Sequence, residues 1–479
     1  MPDEKLSVNS SMGRSVNYQS TSSSREPIWT RVANDPLSGS CSGYESNESY
    51  DRSLTSCTSS EPCKGKGLNV FNAAVFVAGE MAGSGILALP KAVVDCGWIG
   101  LVLVVVFCLN ACYGGCRLGK CWTILEERYP EHRASSRNPY STIAYRAYGR
   151  WCSLLVSGCI QVTLFGAGVV YLLLAAQIFQ ELLRTIVPEI GYCMWFLIFA
   201  VLTIPVMWLG SPKDFSFAGI GALLTTILSC FLIIAQIATE GLELKHPPQH
   251  APHTFKEFFL AFGVILFAYG GASTFPTIQN DMTHREKFPK SVAIGFAVIF
   301  LLYLPVSFGG YFVYGDAVNS NILLSLQRGP FELVANILMA MHLLLAFFIV
   351  VNPVSQEIEE IFDIPHSFCW KRCIIRTLMV VAMIVVGETI PKFGMILALV
   401  GGSTITLTTF VLPSLLYMKL CDQKSVDWPD RYIPLYERVY MWELIVIGLL
   451  GGAASTYSAM TAIFSADALT KPCYWPDVK

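Results

Sequence analysis

Residues 78–90 read AGEMAGSGILALP, and they lie inside an apolar stretch, Leu68 to Ala92, that is long enough to cross a bilayer. Near its centre the stretch holds an acid, Glu80, and the cluster Gly83-Ser84-Gly85. A membrane helix disfavours both, because a charge is costly in lipid and glycine loosens the backbone. The stretch therefore predicts a membrane-crossing helix that is interrupted near its midpoint.

The composition of the whole chain indicates an integral membrane protein. Its 479 residues are 53% hydrophobic and 14% charged, and the mean hydropathy is +0.51. A soluble domain of this length could not bury so much apolar surface. The formal net charge of −2 excludes a strongly basic nucleic-acid binder, so we expect no nucleic-acid partner.

Three regions differ in composition. Residues 1–62 are Ser-rich and lack any helical or strand periodicity, so we predict a disordered cytosolic tail. Residues 63–465 form the predicted transmembrane domain, and residues 466–479 form a short extracellular or luminal tail. The first region also lacks a signal-peptide pattern, so we expect the first span to direct insertion.

Eleven apolar runs of membrane-crossing length follow one another from Leu68 onward. They are residues 68–92, 98–118, 152–182, 191–209, 215–237, 258–282, 291–313, 331–353, 373–390, 393–420 and 440–464. The ninth run has the shortest apolar core, and we expect its Arg376 to extend toward one membrane interface. Lys and Arg collect in the loops after even-numbered spans. This bias predicts a cytosolic N-terminus and a C-terminus outside the cell or in a lumen.

A second interruption lies in the sixth apolar run. Residues 268–283 read AYGGASTFPTIQNDMT, in which Gly270-Gly271 and Pro276 break the helical pattern. The two breaks are five spans apart, and an odd offset places the two spans in opposite directions across the membrane. This spacing predicts that spans one to five and spans six to ten are inverted repeats around a central site.

Interrupted helices suit a substrate with both a carboxylate and an ammonium group. Unpaired backbone groups in lipid cost several kcal/mol each, so such breaks usually line a cavity where water, ions or substrate can bind. Helix N-termini bind a carboxylate and freed carbonyl groups bind an ammonium group, and an α-amino acid presents both. The alternative is that the glycines only allow helices to pack closely.

Six segments of the chain resemble the amino acid/auxin permease family, which includes proton-coupled and vesicular amino acid transporters. They are GEMAGSGILALPKAVVDCGWIGL, FGAGVVYLLLAAQ, FAYGGASTFPTIQNDM, FPKS, NPVSQEIEE and GGSTITLTTFVLP, and the likeness runs from about Lys66 to Phe464. The resemblance implies an all-α LeuT-like fold with a ten-helix core, interrupted spans one and six, and an added eleventh helix.

The resemblance also implies which residues form the substrate pocket. They are Ala82, Gly83, Ser84 and Gly85 in the first span, and Tyr269, Gly270, Gly271, Ala272 and Ser273 in the sixth. Gln161 or Tyr171 in span three and Ser403 and Thr404 in span ten are further candidates to border it. For these four, the alternative is an ordinary hydrogen bond between helices.

Two residues are candidates for proton coupling, Glu80 and His342. A family member often has an uncharged polar residue near Glu80, so this carboxyl group is a departure. The centre of span eight, MAMHLLLAFFIVV, offers no Ser or Thr hydroxyl to a sodium ion but does offer His342. Alternatively, Glu80 caps a half-helix and His342 bonds a neighbouring helix. We expect the proton as the coupling ion, and no cofactor or metal.

The sequence therefore predicts a secondary active transporter of small neutral amino acids that works by alternating access. The pocket segments contain no Arg, Lys or Asp, so an acidic substrate would lack a partner. An amino-acid-sensing receptor with little net transport is the alternative. We find no catalytic set that would indicate an enzyme. We expect a monomer in the plasma membrane or in an endolysosomal or vesicular membrane.

Two further groups lie on the predicted outer side. His246, His250 and His253 are read as parts of a solvated loop, with luminal pH sensing or metal binding as alternatives. Cys96, Cys193 and Cys473 allow one disulfide, whose pairing the sequence leaves open.

Overall fold

The computed structural model describes residues 67–133, 138–208, 216–365, 368–465 and 473, with the backbone alone for 216–220. These residues are helical throughout their ordered elements and contain no β-strand; an isolated bridge pairs Leu68 with Met282. The predicted tail at 1–62 lies outside the described residues, as does 466–479 apart from Cys473. Both tails therefore stay predictions.

The first five spans begin with an interrupted helix. Its halves are α1 (Val70–Met81) and α2 (Ser84–Asp95), followed by α3 (Trp98–Arg128), the short α4 (Pro139–Tyr148), α5 (Arg150–Leu183), α6 (Tyr192–Trp208) and α7 (Ser216–Leu242). Asn69 caps α1, because its side chain accepts a hydrogen bond of 2.8 Å from the N–H of Asn72. The chain turns at Gly97 and Gly149, whose φ angles of +65° and +87° favour glycine.

The next six spans begin with the second interrupted helix. Its halves are α8 (Phe255–Ala268) and α9 (Phe275–Asn280), followed by α10 (Phe288–Gly309), α11 (Pro330–Ile361) and α12 (Trp370–Thr389). Span ten consists of α13 (Phe393–Val400), a π-helical stretch at Gly401–Val411 and α14 (Leu412–Asp422). The last span is α15 (Leu435–Ile463). A capping box starts α8, since Thr254 and Glu257 each bond the backbone N–H of the other.

All eleven predicted spans coincide with a helix or a helix pair in the described chain. Seven of these helices are long and apolar enough to cross a membrane alone, and the bent pair α1–α2 makes an eighth. The other three are α6, which is shorter, the broken sixth span, and α12, which carries charges. The prediction of an all-α fold with interrupted spans one and six is confirmed.

The two interrupted spans lie side by side. Helix α1 packs along α10, and α2 packs along α8, while α11 lies against α7 and α5. The close approach depends on small residues: a Cβ added to Gly85 would lie 2.8 Å from the Cα of Ala268, at the end of α8. The packing therefore brings both breaks to the centre of the bundle.

A buried ion cluster ties span nine to spans eight and four. Arg376 is fully buried; its Nε lies 2.5 Å from Oε1 of Glu359, and its Nη1 donates to the carbonyl of Met207 at 2.7 Å. Arg372 Nε lies 3.3 Å from the same Glu359 oxygen. Glu359 thus supplies Arg376 with a charge partner inside the protein, and the expectation that Arg376 extends toward one membrane interface stays a prediction.

The structure contains a disulfide between two of the three cysteines predicted to lie on the outer side. Cys193 in α6 is bonded to Cys473, with their Cα atoms 5.5 Å apart. Cys96 is free and buried, and its thiol lies 3.6 Å from the carbonyl oxygen of Phe258. The disulfide therefore joins two of the three candidate cysteines and fastens the segment around Cys473 to span four.

We predict that the Glu359→Gln variant is much less stable than the wild type, because it leaves buried guanidinium groups without a counter-charge. Breaking a buried pair costs about 3–5 kcal/mol. Asp422→Asn is the matched control: it breaks an exposed pair in which Arg438 donates to Asp422 at 2.6 and 2.9 Å, and it should cost at most about 1 kcal/mol. Thermal unfolding in detergent measures both, and equal losses would contradict the buried cluster's structural role.

Candidate functional site

The first break lies between α1 and α2, whose axes differ by 56°. Helix α2 starts at Ser84, and the N–H of Ile86 bonds back to the carbonyl of Gly83 at 3.2 Å. The N–H groups of Ser84 and Gly85 donate to no acceptor in the described part of the chain. A helix N-terminus of this kind carries partial positive charge and free donors, which suit an anionic group.

The second break runs from Tyr269 to Thr274, between α8 and α9. It is folded on itself, since the N–H of Gly271 bonds the carbonyl of Tyr269 at 3.1 Å and the N–H of Thr274 bonds that of Gly271 at 3.3 Å. Tyr269 is fully buried, and its hydroxyl donates to the carbonyl of Val104 in span two at 2.9 Å. The side chain of Tyr269 therefore anchors the break rather than facing a ligand.

A cavity of about 40 Å³ lies where the two breaks meet. Five spans line it, with Glu80, Met81, Ser84 and Gly85 from the first, Thr163, Leu164, Ala167 and Tyr171 from the third, Phe267, Gly270 and Ser273 from the sixth, Val350 from the eighth and Ile405 from the tenth. This volume holds a few water molecules. An amino acid requires the cavity to widen. The arrangement in which the two breaks meet at this small cavity is called the closed arrangement below.

The predicted pocket residues divide into two groups. Ser84, Gly85, Gly270 and Ser273 line the cavity, together with Glu80 and Tyr171. Ala82, Gly83, Tyr269, Gly271 and Ala272 are buried in the breaks behind it and are not among the lining residues. These glycines and alanines allow the backbone to turn and pack, and the residues beside them face the cavity.

Span three contributes more to the cavity than the sequence suggested. Thr163, which the sequence reasoning missed, lines the cavity, and its hydroxyl lies 2.7 Å from that of Thr404 in span ten. Gln161 bonds Glu357 instead, and Ser403 donates to the carbonyl of Leu399 at 2.5 Å. Both therefore make ordinary contacts outside the cavity.

Glu80 is the one acidic side chain among the lining residues, and that set contains no Lys, Arg or His. Within the described part of the chain its carboxyl group has no hydrogen-bond partner. It therefore makes no capping bond to a half-helix here. The cavity presents a single carboxyl group that is free to contact whatever enters.

His342 lies beside the cavity rather than on its wall. It is 2% exposed, and its Nδ1 lies 2.9 Å from the carbonyl oxygen of Ala222 and 2.5 Å from the hydroxyl of Thr226, both in span five. Since the carbonyl only accepts, Nδ1 carries a hydrogen. Nε2 is buried without a partner in the described structure, and a Cβ added to Gly83 would lie 3.0 Å from it.

Span ten widens where it passes the cavity. Its central stretch, Gly401–Val411, is π-helical, and Thr406 donates to the carbonyl of Gly401 at 2.8 Å. Such π-helical stretches often occur at functional sites, because they turn side chains away from their regular positions on an α-helix. Here Ile405 faces the cavity and Thr404 reaches Thr163.

One group of potential metal ligands is close enough to share an ion in the described chain: Cys193, Glu388 and Cys473. The two sulfur atoms are already joined to each other. They are therefore not available as thiolate ligands.

A helical bundle with two interrupted spans around a central cavity defines a multi-pass membrane transporter. The chain matches the family described as "Transmembrane amino acid transporter protein" over residues 66–461, and it belongs to that family. The predicted family resemblance is confirmed, and the members of this family are transporters rather than enzymes.

Several plant proteins are similar in sequence. "Amino acid transporter AVT1D" of Arabidopsis thaliana is 26% identical over 399 residues, which cover 80% of this chain and 68% of that protein. "Lysine histidine transporter-like 1" of the same plant is 26% identical over 393 residues, covering 77% and 84%.

Solved transporter structures are similar to a lesser degree. A manganese transporter of Eremococcus coleocola gives a TM-score of 0.49 at 12% identity, covering 84% of this chain and 90% of that one. MhsT in complex with L-phenylalanine gives a TM-score of 0.44 at 15% identity, covering 81% and 98%.

We predict that Gly83→Leu and Gly271→Leu each abolish amino acid uptake while the protein still reaches the membrane. A Cβ at Gly83 would lie 3.3 Å from the Tyr171 hydroxyl, and one at Gly271 would lie 2.8 Å from Cγ of Met81. Both contacts involve residues of the cavity wall. Gly158→Leu is the control, because a Cβ there meets no atom within 4 Å. Near-normal uptake by either variant would show that bulk at these glycines, behind the cavity wall, does not reach the site.

Proposed function

We propose that this protein is a secondary active transporter that moves small neutral amino acids across a membrane by alternating access. The observation that carries the proposal is the meeting of two interrupted spans at one small cavity, which both line with backbone and hydroxyl groups. Membership of the transmembrane amino acid transporter family supports it. We further propose a functional monomer in the plasma membrane or in an endolysosomal or vesicular membrane.

The two breaks offer complementary groups to an α-amino acid. The free N–H groups of Ser84 and Gly85 suit its carboxylate, because they begin a helix. The Glu80 carboxyl group and the Ser273 hydroxyl, which belong to residues that line the cavity, suit its ammonium group. Phe267, Val350 and Ile405 leave an apolar surface of limited size for the side chain. Small apolar amino acids fit this combination best.

The small size of the cavity supports the proposal of alternating access. Since an amino acid does not fit into about 40 Å³, the half-helices must move apart for it to enter. In a fold of inverted repeats the same motion occurs toward either membrane face, around a fixed site. We therefore propose that the site opens to one side at a time and that substrate crosses without a continuous pore.

We predict that glutamate and aspartate compete poorly against labelled alanine for uptake into reconstituted vesicles, whereas unlabelled glycine and proline compete well. No cation lines the cavity, and Glu80 would repel a second carboxylate. Competition by arginine tests the opposite possibility, that Glu80 binds a cationic side chain. If arginine competes as strongly as alanine in the wild type but not in Glu80→Gln, the substrates are cationic and the neutral-substrate proposal is wrong.

We further propose that a proton drives the cycle and that Glu80 carries it. Residues 339–351 of span eight offer no hydroxyl ligand to sodium, whereas Glu80 faces the cavity and can exchange with water when the cavity opens. Burial of a carboxyl group favours its neutral form, so a carboxyl that alternates between an open and a closed cavity can bind and release a proton. His342 is the second candidate, through its unpartnered Nε2.

The expected result is uptake that follows an imposed pH gradient and does not respond to a sodium gradient. Glu80→Gln should remove the dependence on the pH gradient, because an amide does not titrate. Glu443→Gln, at an exposed position on α15, is the control and should keep it. Sodium-driven uptake that ignores pH would exclude proton coupling, whereas pH-driven uptake by Glu80→Gln would transfer the role to another residue such as His342.

A further inference from the structure

Tyr303 in α10 contacts both breaks at once. The side chain is fully buried, and its hydroxyl oxygen lies 2.5 Å from the carbonyl oxygen of Met81 and 3.2 Å from that of Ala268. Met81 is the last residue of α1 and Ala268 is the last residue of α8. Tyr303 is therefore placed at the two points where the interrupted helices stop.

These two carbonyl groups need a donor. The last carbonyl of a helix has no intrahelical partner, and in the described backbone no N–H outside the helices bonds either Met81 or Ala268. In the interior of a membrane protein an unpaired carbonyl is costly. The Tyr303 hydroxyl is the donor that the described structure supplies to both.

A phenol hydroxyl carries a single hydrogen, so it can satisfy only one carbonyl fully at a time. Helix α1 and helix α8 are the first halves of spans that run in opposite directions, so they approach the centre from opposite membrane faces. The hydroxyl can lie near both carbonyls only while the two half-helix ends are close together. That condition holds in the closed arrangement, in which a Cβ on Gly85 would lie 2.8 Å from Ala268 Cα.

We propose that Tyr303 is a positioning residue for transport, whose hydroxyl links the two breaks and holds the site in its closed arrangement. The inference rests on the proposed function. Tyr303 itself is not among the residues that line the cavity. It acts through the carbonyl groups of Met81 and Ala268. Met81 is a lining residue, and Ala268 lies between the lining residues Phe267 and Gly270. Weakening the link favours open arrangements that admit substrate, and strengthening it disfavours them.

The test varies the number of hydrogen-bond donors at position 303. Phe has none, Tyr has one, and para-aminophenylalanine, introduced by stop-codon suppression, has two N–H groups that can serve both carbonyls together. When a smaller fraction of the protein is in an arrangement that admits substrate, the apparent affinity for substrate is lower. The KM for uptake should therefore rise in the order Phe, Tyr, para-aminophenylalanine, with steps of about two- to tenfold, as expected for one hydrogen bond.

Tyr140→Phe is the matched control. Tyr140 is also buried, and its hydroxyl donates to one carbonyl, that of Thr408, at 2.6 Å. Neither Tyr140 nor Thr408 is among the residues that line the cavity. Tyr303→Phe and Tyr140→Phe should lower the unfolding temperature to a similar extent, but only the first should change KM. Tyr303→Phe lacks a donor and could fail to accumulate in the membrane. In that case the para-aminophenylalanine variant, which keeps a donor, still tests the predicted rise in KM.

An unchanged KM in both position-303 variants, or a change of the same size in Tyr140→Phe, would overturn the positioning role. Wild-type vesicles are measured in the same series with labelled alanine. Absence of uptake there would contradict the proposed function itself, so the two failures are distinguishable.

Discussion

The fold is organised around the need to satisfy backbone groups that a helix leaves unpaired in the middle of a membrane. Two spans are interrupted, and each interruption releases N–H and C=O groups that lipid cannot bond. Protein groups take up part of this requirement: the Tyr303 hydroxyl lies within hydrogen-bond distance of the carbonyls that end α1 and α8 and can donate to one of them at a time, and Tyr269 holds the second break against span two. The N–H groups of Ser84 and Gly85 remain for a ligand.

Several other polar side chains in the described interior fasten the helices around this centre. Glu357 accepts from Ser157 and Gln161, which joins span eight to span three. Arg376 joins span nine to Glu359 in span eight and to the carbonyl end of span four. These bonds make spans three, four, eight and nine a connected frame.

The breaks themselves were predictable because glycine, proline and charge stand out in apolar sequence. Ser84 and Ser273, which the sequence places in these breaks, line the cavity, and their role in binding stays a prediction. Thr163 and Ile405 were not found, because a membrane helix that is apolar on every side gives no periodic signal for the face that points inward. The finding came only from the packing of spans three and ten against the breaks.

The sequence also did not predict which residues far apart in the chain form pairs. Arg376 looked like a residue near an interface, since nothing in the sequence links it to Glu359 or to the carbonyl of Met207. The Cys193–Cys473 bond closes a separation of 280 residues, which no local pattern specifies. Composition and local pattern thus determine where helices start, stop and break, whereas the partners of buried charges and thiols depend on the assembled bundle.

The most direct test of a single amino acid site at the two breaks is an electron cryomicroscopy structure of the protein with alanine at saturating concentration. We predict density for alanine between the N–H groups of Ser84 and Gly85 and the second break, in a cavity larger than about 40 Å³. A larger groove elsewhere, of about 450 Å³, is lined in part by Glu181, Arg184, Arg328 and Glu332. Alanine bound only in that groove, with the central cavity unchanged, would contradict the site described here.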